Sequence, residues 1–300
     1  MVEISPVERV QRIEAPRFQL AYKKPARPLV MERLTEGWTA RERWSVEYLR
    51  DVAGDVEVPL YDSVPSRGRK HQHAPAARMP LARYLDRLEA GENDLRMFFF
   101  NILAAVPRLT EDFHYPELGL KLFRKLPVLF MGGRGARVQM HFDIDLADLL
   151  LCHFGGRKRV LLFPPEQGGN LYRVPFSFSA LFDVNIEQPD YQRFPALRQA
   201  RGQVAELNHG DVLYVPPGYW HYVIYEELGF SMTLRAFPRQ PGNFARMLNN
   251  LLVLRTVDGL GRRFVGEPWN RRNERRAVAR THRRLATGEA AAATPGREQG

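Results

Sequence analysis

The strongest constraint on the fold of this chain is a series of short apolar or alternating segments that begins at Leu95. Glycine, proline or charged residues separate each segment from the next. Many short strands with turn signals between them are typical of an antiparallel sandwich or barrel. The sequence therefore predicts a mainly β fold. The segments are LRMFFFNIL, PVLFMGG, RVQMHFDI, DLLLCHF, RKRVLLFPP, DVLYVPPGYWHYVIY and FSMTLRAF.

The regions on either side of this series have a different character. Residues 1–20 predict an irregular lead-in, and the main domain then covers residues 21–240. Before the strands, Leu81 to Leu88 place apolar side chains at helical spacing and predict one amphipathic helix. Residues 241–286 predict C-terminal helices, with many arginines in their second half. Residues 287–300 contain few bulky apolar side chains and predict a disordered tail.

Two segments of the series carry residues suited to metal binding. The first, GARVQMHFD, ends with His141 and Asp143, which point to the same face of a strand because side chains alternate. In the second, GDVLYVPPGYWH, a Pro-Pro-Gly corner precedes His221. Two imidazoles and one carboxylate on one face form the triad that holds Fe(II) and leaves the opposite positions open. A His-x-Asp pair alone also arises by chance, and His141 would then be a hydrogen-bonded core histidine.

Each of these segments matches one half of the cupin pattern, and residues 25–240 resemble the JmjC-type, cupin-fold Fe(II)/2-oxoglutarate-dependent oxygenases. The resemblance is to the small hydroxylase branch, which includes the hypoxia-factor asparaginyl hydroxylase and the tRNA wybutosine hydroxylase. The stretches that carry the resemblance are HFDIDLADLLL, GRKRVLLFPPEQGGNLY, NIEQPDYQRFPAL and GDVLYVPPGYWHYV.

The resemblance implies a double-stranded β-helix (cupin/jelly-roll) barrel at 21–240, with N-terminal helices and a C-terminal helical extension. It implies Fe(II) bound by His141, Asp143 and His221, with 2-oxoglutarate as cosubstrate. The implied activity is that of a dioxygenase, a hydroxylase that inserts one oxygen atom of O2 into a C–H bond. The implied substrate is a protein, an RNA or a small molecule.

Lys158 opens a strand after a Gly-Gly turn in GGRKRVLLFPP. The resemblance implies that this lysine pairs with the distal carboxylate of 2-oxoglutarate. The alternative is a solvated basic turn made of Arg157, Lys158 and Arg159. Strand alternation sends Lys158 to the face opposite the two arginines, which favours the first interpretation. Relatives also hold the cosubstrate with a tyrosine that is not obvious here, and Arg96 is a candidate cationic partner.

Asp148 leaves a second function open. Asp148 and Gly155 match another cupin pattern, in which an acidic residue is a fourth metal ligand. That ligand would occupy the position that 2-oxoglutarate needs. The chain would then be a metal-binding cupin without oxoglutarate-dependent activity, acting as a sensor or structural module. Lys158 and the JmjC-like stretches argue against this alternative.

Composition limits the partners and the compartment. The formal net charge is +10, and between Arg262 and Arg284 nine arginines face only Glu267 and Glu274. We therefore expect a nucleic acid or an acidic partner to contact the arginine-rich C-terminus. The single cysteine, Cys152, excludes an internal disulfide and favours the cytoplasm. No apolar run reaches the length of a membrane span, so we expect no membrane partner.

Residues 243–257 predict a helix with one apolar face, which must be buried somewhere. The face packs either on the barrel of the same chain or on the same helix of a second chain, which would make a homodimer. Its residues are Phe244, Met247, Leu248, Leu251 and Leu252.

Overall fold

The structure, a computed structural model, describes residues 2–62 and 75–288. Most of its strands follow Leu95, as the segment pattern predicts. The strands are β1 Glu3–Pro6, β2 Arg9–Val10, β3 Leu29–Met31, β4 Glu57–Asp62, β5 Ala77–Pro80, β6 Leu95–Phe100, β7 Val128–Gly132, β8 Arg137–His141, β9 Asp148–Phe154, β10 Lys158–Phe163, β11 Arg201–Leu207, β12 Val212–Val215, β13 Trp220–Tyr225 and β14 Gly229–Ala236.

The strands form two sheets that pack against each other. The small sheet has the order β1-β11-β10-β13-β8, and the large sheet has the order β2-β3-β12-β9-β14-β7-β6-β4-β5. Side chains of both sheets meet in an apolar cluster between them, in which Val160 and Leu162 of β10 join Leu213 and Val215 of β12. Most neighbouring strands are antiparallel and not consecutive in the chain, as in a jelly roll. The prediction of a mainly β, cupin-like barrel is therefore confirmed.

Alternation along the strands separates an apolar outer face from a partly polar inner face. In β14, every second residue from Phe230 onward belongs to the core outside the large sheet. The residues between them are buried polar side chains that face the other sheet because strand side chains alternate. These inward-facing residues are Ser231, Thr233 and Arg235.

Helices cover the outer face of the large sheet and follow the barrel at its C-terminal end. Ser45 caps α3, because its hydroxyl accepts a hydrogen bond from the Tyr48 backbone N–H. The predicted amphipathic helix is α4, which buries its four apolar residues. The helices are α1 Ala15–Phe18, α2 Thr39–Arg43, α3 Val46–Ala53, α4 Leu81–Glu89, α5 Ile102–Ala105, α6 Pro241–Leu248, α7 Arg255–Phe264 and α8 Glu267–Ala286, with π-helical turns at Gln19–Lys23 and Asn249–Leu254 and 3-10 turns at Pro107–Asp112, Pro165–Gly169 and Pro195–Gln199.

The predicted irregular lead-in at residues 1–20 is wrong, because this segment is ordered by pairing. β1 runs parallel to β11 at the edge of the small sheet, and β2 runs parallel to β3. α1 then buries Phe18. In the strand register Glu3 pairs with Arg201, which is far along the chain. A local pattern in the first residues therefore could not predict this strand.

Most of the segment 165–208 forms a layer over the outer face of the small sheet, and its last residues join the sheet itself. This segment has short 3-10 turns and contributes β11, which pairs with β10. Its apolar side chains, including Tyr172 and Phe194, pack with Trp220 and Tyr222 of β13. Ala277 of α8 belongs to the same cluster, so the arginine-rich helix is docked on the domain.

The apolar face predicted for residues 243–257 is not buried on the barrel of its own chain. Met247 is buried, but Phe244 is 45% exposed, Leu248 38% and Leu252 66%. Of the two alternatives, packing back on the same barrel is therefore not what the structure shows.

None of the helices in the described part of the chain combines the length and the apolar character needed to cross a membrane. Of the predicted disordered tail at 287–300, residues 289–300 lie outside the described residues.

Candidate metal centre

The structure brings His141, Asp143 and His221 together between the two sheets. His141 ends β8 and His221 lies near the start of β13, and the two residues are directly paired in the sheet register. Their imidazole centroids are 4.1 Å apart. Asp143 follows two residues after β8, and one ligand atom from each of the three residues lies within 4.8 Å of the others. These three residues form a group that could hold one metal ion.

Backbone carbonyls set the orientation of both imidazoles. His141 Nδ1 is 2.7 Å from the Gln139 carbonyl oxygen, and His221 Nδ1 is 3.2 Å from the Tyr219 carbonyl oxygen. A carbonyl only accepts hydrogen bonds, so each Nδ1 carries the proton. The Nε2 lone pair of each ring is then available to a metal, the arrangement in which a hydrogen bond fixes the tautomer of a ligating histidine.

The protonation states of the ligands also suit a metal. Burial and the neighbouring His221 lower the pKa of His141 to about 3, so its ring is neutral near pH 7. Burial alone would favour the neutral acid of Asp143, but Arg235 and the two histidines hold its pKa at about 2. Metal binding needs neutral imidazole and ionised carboxylate. Two nitrogen donors and one oxygen donor with open positions form the set typical of non-haem Fe(II), and the residues present fit that ion.

A buried arginine compensates the carboxylate of Asp143. Arg235 Nη1 donates to Asp143 Oδ2 at 3.1 Å and to Asp145 Oδ2 at 2.8 Å. The Arg235 side chain is 4% exposed, and its Nε has no hydrogen-bond partner. The guanidinium therefore positions Asp143, and Asp145 adds a second negative charge beside it.

Lys158 lies in the same inter-sheet space. It is 2% exposed, and its Nζ donates to Ser231 Oγ at 2.5 Å and lies 4.2 Å from the centroid of the Tyr225 ring. Among the described residues, no carboxylate forms an ion pair with it. Burial lowers the pKa of Lys158 to about 7. The predicted alternative of a solvated basic turn is therefore wrong for Lys158, because alternation turns it inward.

Other polar atoms around Lys158 also lack partners. Burial lowers the pKa of Arg96, and the nearby Tyr225 raises it in part. Arg96 Nε and Thr233 Oγ1 are buried without a hydrogen-bond partner. We call Arg96, Lys158, Tyr225, Ser231 and Thr233 the Lys158 cluster. Asp62 acts on Arg96 through its charge, but no carboxylate among the described residues pairs with Lys158, so two cations and unsatisfied donors fit a small carboxylate ligand.

Asp148 is not part of the metal group. Its Oδ1 accepts a hydrogen bond from the Tyr214 hydroxyl at 2.7 Å, and its Oδ2 lies 3.2 Å from Lys23 Nζ. Asp148 begins β9, and its carboxylate is engaged by residues outside the His–Asp–His group. The alternative in which Asp148 is a fourth metal ligand is therefore not supported. The coordination positions that the triad leaves open are not occupied by Asp148.

Sequence reasoning missed the roles of Asp145, Ser231 and Arg235. The signal was present in FSMTLRAF, where polar residues occupy every second position of an apolar strand. The pattern does not reveal which groups these side chains contact, because Asp145 and Arg235 are 90 residues apart in the chain.

Phe99 is an exposed aromatic residue close to the metal centre. The β6–β7 register shifts between Met97 and Phe100, and Phe99 has a positive φ of 50°. The side chain is 41% exposed, and its ring lies 5.2 Å from the Arg235 guanidinium carbon. Bulges beside active sites often redirect a side chain, and this one places an exposed aromatic ring next to the residue that holds Asp143.

Comparisons with known proteins agree with this geometry. A family model described as a cupin-like domain matches residues 15–241. Lysine-specific demethylase 8 of Danio rerio is 29% identical over 245 residues, which cover 77% of this chain and 59% of that protein. tRNA wybutosine-synthesizing protein 5 of Homo sapiens is 27% identical over 250 residues, which cover 76% of this chain and 77% of that protein.

Coverage of the relatives differs. The chain spans about half to three-fifths of the length of the demethylase 8 relatives it matches. A 42% identical match to HSPB1-associated protein 1 of Bos taurus covers 98 residues, 32% of this chain. Since the family model extends over most of the chain, the chain belongs to the family of cupin-like JmjC domains, whose members are Fe(II)/2-oxoglutarate-dependent oxygenases.

Proposed function

We propose that this chain is an Fe(II)/2-oxoglutarate-dependent hydroxylase, which inserts one oxygen atom of O2 into a C–H bond of its substrate. The observation that carries the proposal is the placement of two complementary groups in one inter-sheet space. One is the His141, Asp143 and His221 triad, and the other is buried Lys158, which has no carboxylate partner among the described residues. A metal-binding cupin without oxoglutarate chemistry would have no need for a desolvated ammonium beside its metal centre.

His141 Nε2, His221 Nε2 and one Asp143 oxygen would hold Fe(II). When bound, the ion would supply the redox and dioxygen chemistry that no side chain provides. The chain's own residues set the conditions for this chemistry. The Gln139 and Tyr219 carbonyls hold the imidazoles in one tautomer, and Arg235 keeps the Asp143 carboxylate ionised and oriented.

The Lys158 cluster would bind the distal carboxylate of 2-oxoglutarate. Lys158 offers a charged donor already hydrogen-bonded to Ser231, and Arg96 and Thr233 offer donors without partners. Charge-assisted hydrogen bonds of this kind are stronger than neutral ones in a water-poor interior. The apolar cluster beneath, which includes Leu162 and Leu213, excludes water from the same space.

The substrate is a protein, an RNA or a small molecule, and the names of the relatives cover the first two of these classes. The protein is proposed to work in the cytoplasm. Cys152 is buried and free, which suits a reducing compartment.

Succinate formation tests the proposal. Reduced, Fe(II)-loaded protein is incubated with 2-oxoglutarate and a pool of peptides and RNA, and succinate is measured. We expect turnover by the wild type and none by His141→Ala, which removes one metal ligand. Succinate at the level of His141→Ala, together with no stabilisation of the Mn(II)-loaded protein by 2-oxoglutarate, would favour the metal-binding cupin without this activity.

A further inference from the structure

The arginines of α8 form an exposed row on a helix that is fixed to the domain. Asn273, Ala277 and Thr281 are the buried residues of α8 and face the layer over the small sheet. On another face, Arg272, Arg276 and Arg283 are exposed at spacings of four and seven residues. Positions at this spacing share one helix face, so the three guanidinium groups follow a line about 16 Å long.

A basic groove lies next to α8, which contacts one of its lining residues, Arg173, through Arg280. It has a volume of about 1150 Å³, and its lining includes six cationic residues and one acidic residue, Asp148. Asp148 is already engaged by Lys23 and Tyr214, so the groove keeps a net positive charge. The cationic residues are Lys23, Lys24, Lys121, Arg173, Arg239 and Arg246.

Arg173 connects the groove to α8. The Arg280 guanidinium donates to the Arg173 backbone carbonyl. Burial lowers the pKa of Arg173, and Arg280 and Arg246 lower it further, so several like charges meet at this point. Such repulsion is a cost to the folded protein that a bound polyanion would relieve.

The groove runs past the segments of chain that carry the metal ligands, although none of the three ligands lines it. Phe142 and Trp220 line it, and these residues are the chain neighbours of the ligands His141, Asp143 and His221.

We infer that the basic groove and the arginine row of α8 form one surface that binds the phosphate backbone of a nucleic acid. The charges form an extended row, as a linear polyanion requires, and every cation of α8 is an arginine, whose planar fork matches phosphate. Along one strand of a duplex, phosphates recur about every 3.4 Å of axis, so a row of this length faces several of them. This surface does not depend on the oxygenase chemistry proposed above.

Fluorescence anisotropy with the full chain tests this inference. The probe is a labelled RNA stem-loop of about 20 nucleotides, with DNA of the same sequence as a second arm, titrated between about 50 and 200 mM KCl. Wild-type affinity should fall steeply with salt. The triple variant Arg272→Gln, Arg276→Gln, Arg283→Gln should weaken binding more than tenfold at low salt and reduce the slope of log affinity against log salt by about two to three.

A matched control removes the same charge from exposed arginines on other elements. The variant Arg43→Gln, Arg83→Gln, Arg134→Gln should change the affinity less than threefold. Equal losses in the two triple variants would show general basicity only, and absence of RNA binding at low salt would overturn the inference outright. Tighter binding of a polyglutamate peptide than of RNA through the same arginines would assign the surface to an acidic protein instead.

The state of the metal centre is measured in the same samples. Stabilisation of each Mn(II)-loaded variant by 2-oxoglutarate should equal that of the wild type, because none of the substituted arginines lies in the triad or the Lys158 cluster. Loss of RNA binding with this stabilisation intact supports the surface. If the wild type binds RNA but is not stabilised by 2-oxoglutarate, the proposed activity is contradicted and the RNA-binding surface is still supported.

Discussion

At the scale of single residues, the metal centre depends on a buried cation as well as on its ligands. Arg235 is 3% exposed and bonds to both Asp143 and Asp145. Removing one partner of a buried ion pair leaves an uncompensated charge, which is strongly destabilising. Without Arg235, the stability of the fold should therefore depend on whether a metal ion is bound.

We expect Arg235→Met to lower the free energy of unfolding by about 3 kcal/mol in EDTA. The loss should be smaller with Mn(II), because a divalent ion at Asp143 replaces part of the missing positive charge. Urea unfolding with and without Mn(II) measures both values. Equal losses in the two conditions would mean that the metal does not bind beside Asp143.

Lys158 should make oxoglutarate binding dependent on pH. In the free protein, burial lowers the pKa of Lys158 to about 7, and a bound carboxylate favours the charged ammonium and raises that pKa again. Above about pH 7.5, binding must therefore take up a proton. The Kd for 2-oxoglutarate should rise about tenfold per pH unit up to about pH 9, measured by calorimetry on Mn(II)-loaded protein.

Two variants of Lys158 separate this effect from titration of other groups. Lys158→Arg keeps a charge that does not titrate in this range, so its binding should be nearly independent of pH. Lys158→Met should bind weakly at every pH. A rise in Kd with pH that persists in Lys158→Arg would place the titrating group elsewhere.

At the scale of the elements, strand alternation predicted much of the site. The two-residue period places His141 and Asp143 on one face and separates Lys158 from Arg157 and Arg159. Both expectations depend on local geometry, which a sequence displays directly. The mainly β fold follows from the same kind of pattern.

Features that depend on contacts distant along the chain were not predictable. β1 exists only because β11 offers an edge, and Phe99 faces Arg235 only because β6 bulges against β7. The docking of α8 was missed for a related reason. Its buried residues are small or polar, so the helix shows no bulky apolar face, although Asn273, Ala277 and Thr281 recur at helical spacing.

Ala277 tests the docking of α8. It is fully buried, whereas Ala279 on the same helix is exposed. Ala277→Glu buries an unpaired carboxylate and should release the helix, so that protease cuts within residues 267–286 much faster than in the wild type. Ala279→Glu, with the same change of charge, should leave the cleavage rate unchanged. Similar rates in the two variants would contradict the docked position of α8.

At the scale of the whole molecule, the C-terminal helices expose an apolar surface. Phe244, Leu248 and Leu252 lie within the predicted segment 243–257, and Leu260 and Phe264 of α7 are also exposed. Phe244, Leu248 and Leu252 follow one another at spacings of four residues, and exposed apolar side chains grouped in this way mark an interaction site. A two-fold axis would let the same surface of a second chain cover it.

We therefore predict a homodimer through residues 243–257. Light scattering should give twice the 34.6 kDa mass of the chain at micromolar concentration. Leu248→Glu should halve the mass without loss of metal binding, and Leu20→Glu, which changes an exposed leucine on another element, should not. If the wild type has the mass of a single chain, the homodimer is wrong and something other than a second copy covers this surface.

The triad and the Lys158 cluster are together proposed to bind Fe(II) and 2-oxoglutarate. Anaerobic titration of the Fe(II)-loaded protein with 2-oxoglutarate, followed by visible absorption, tests this claim directly, because chelation of the iron by the oxoacid produces a metal-to-ligand charge-transfer band. We predict a band that saturates at one equivalent, is absent in His141→Ala, and needs much more 2-oxoglutarate in Lys158→Met. A protein that binds one Fe(II) but shows no band with excess 2-oxoglutarate would contradict the account.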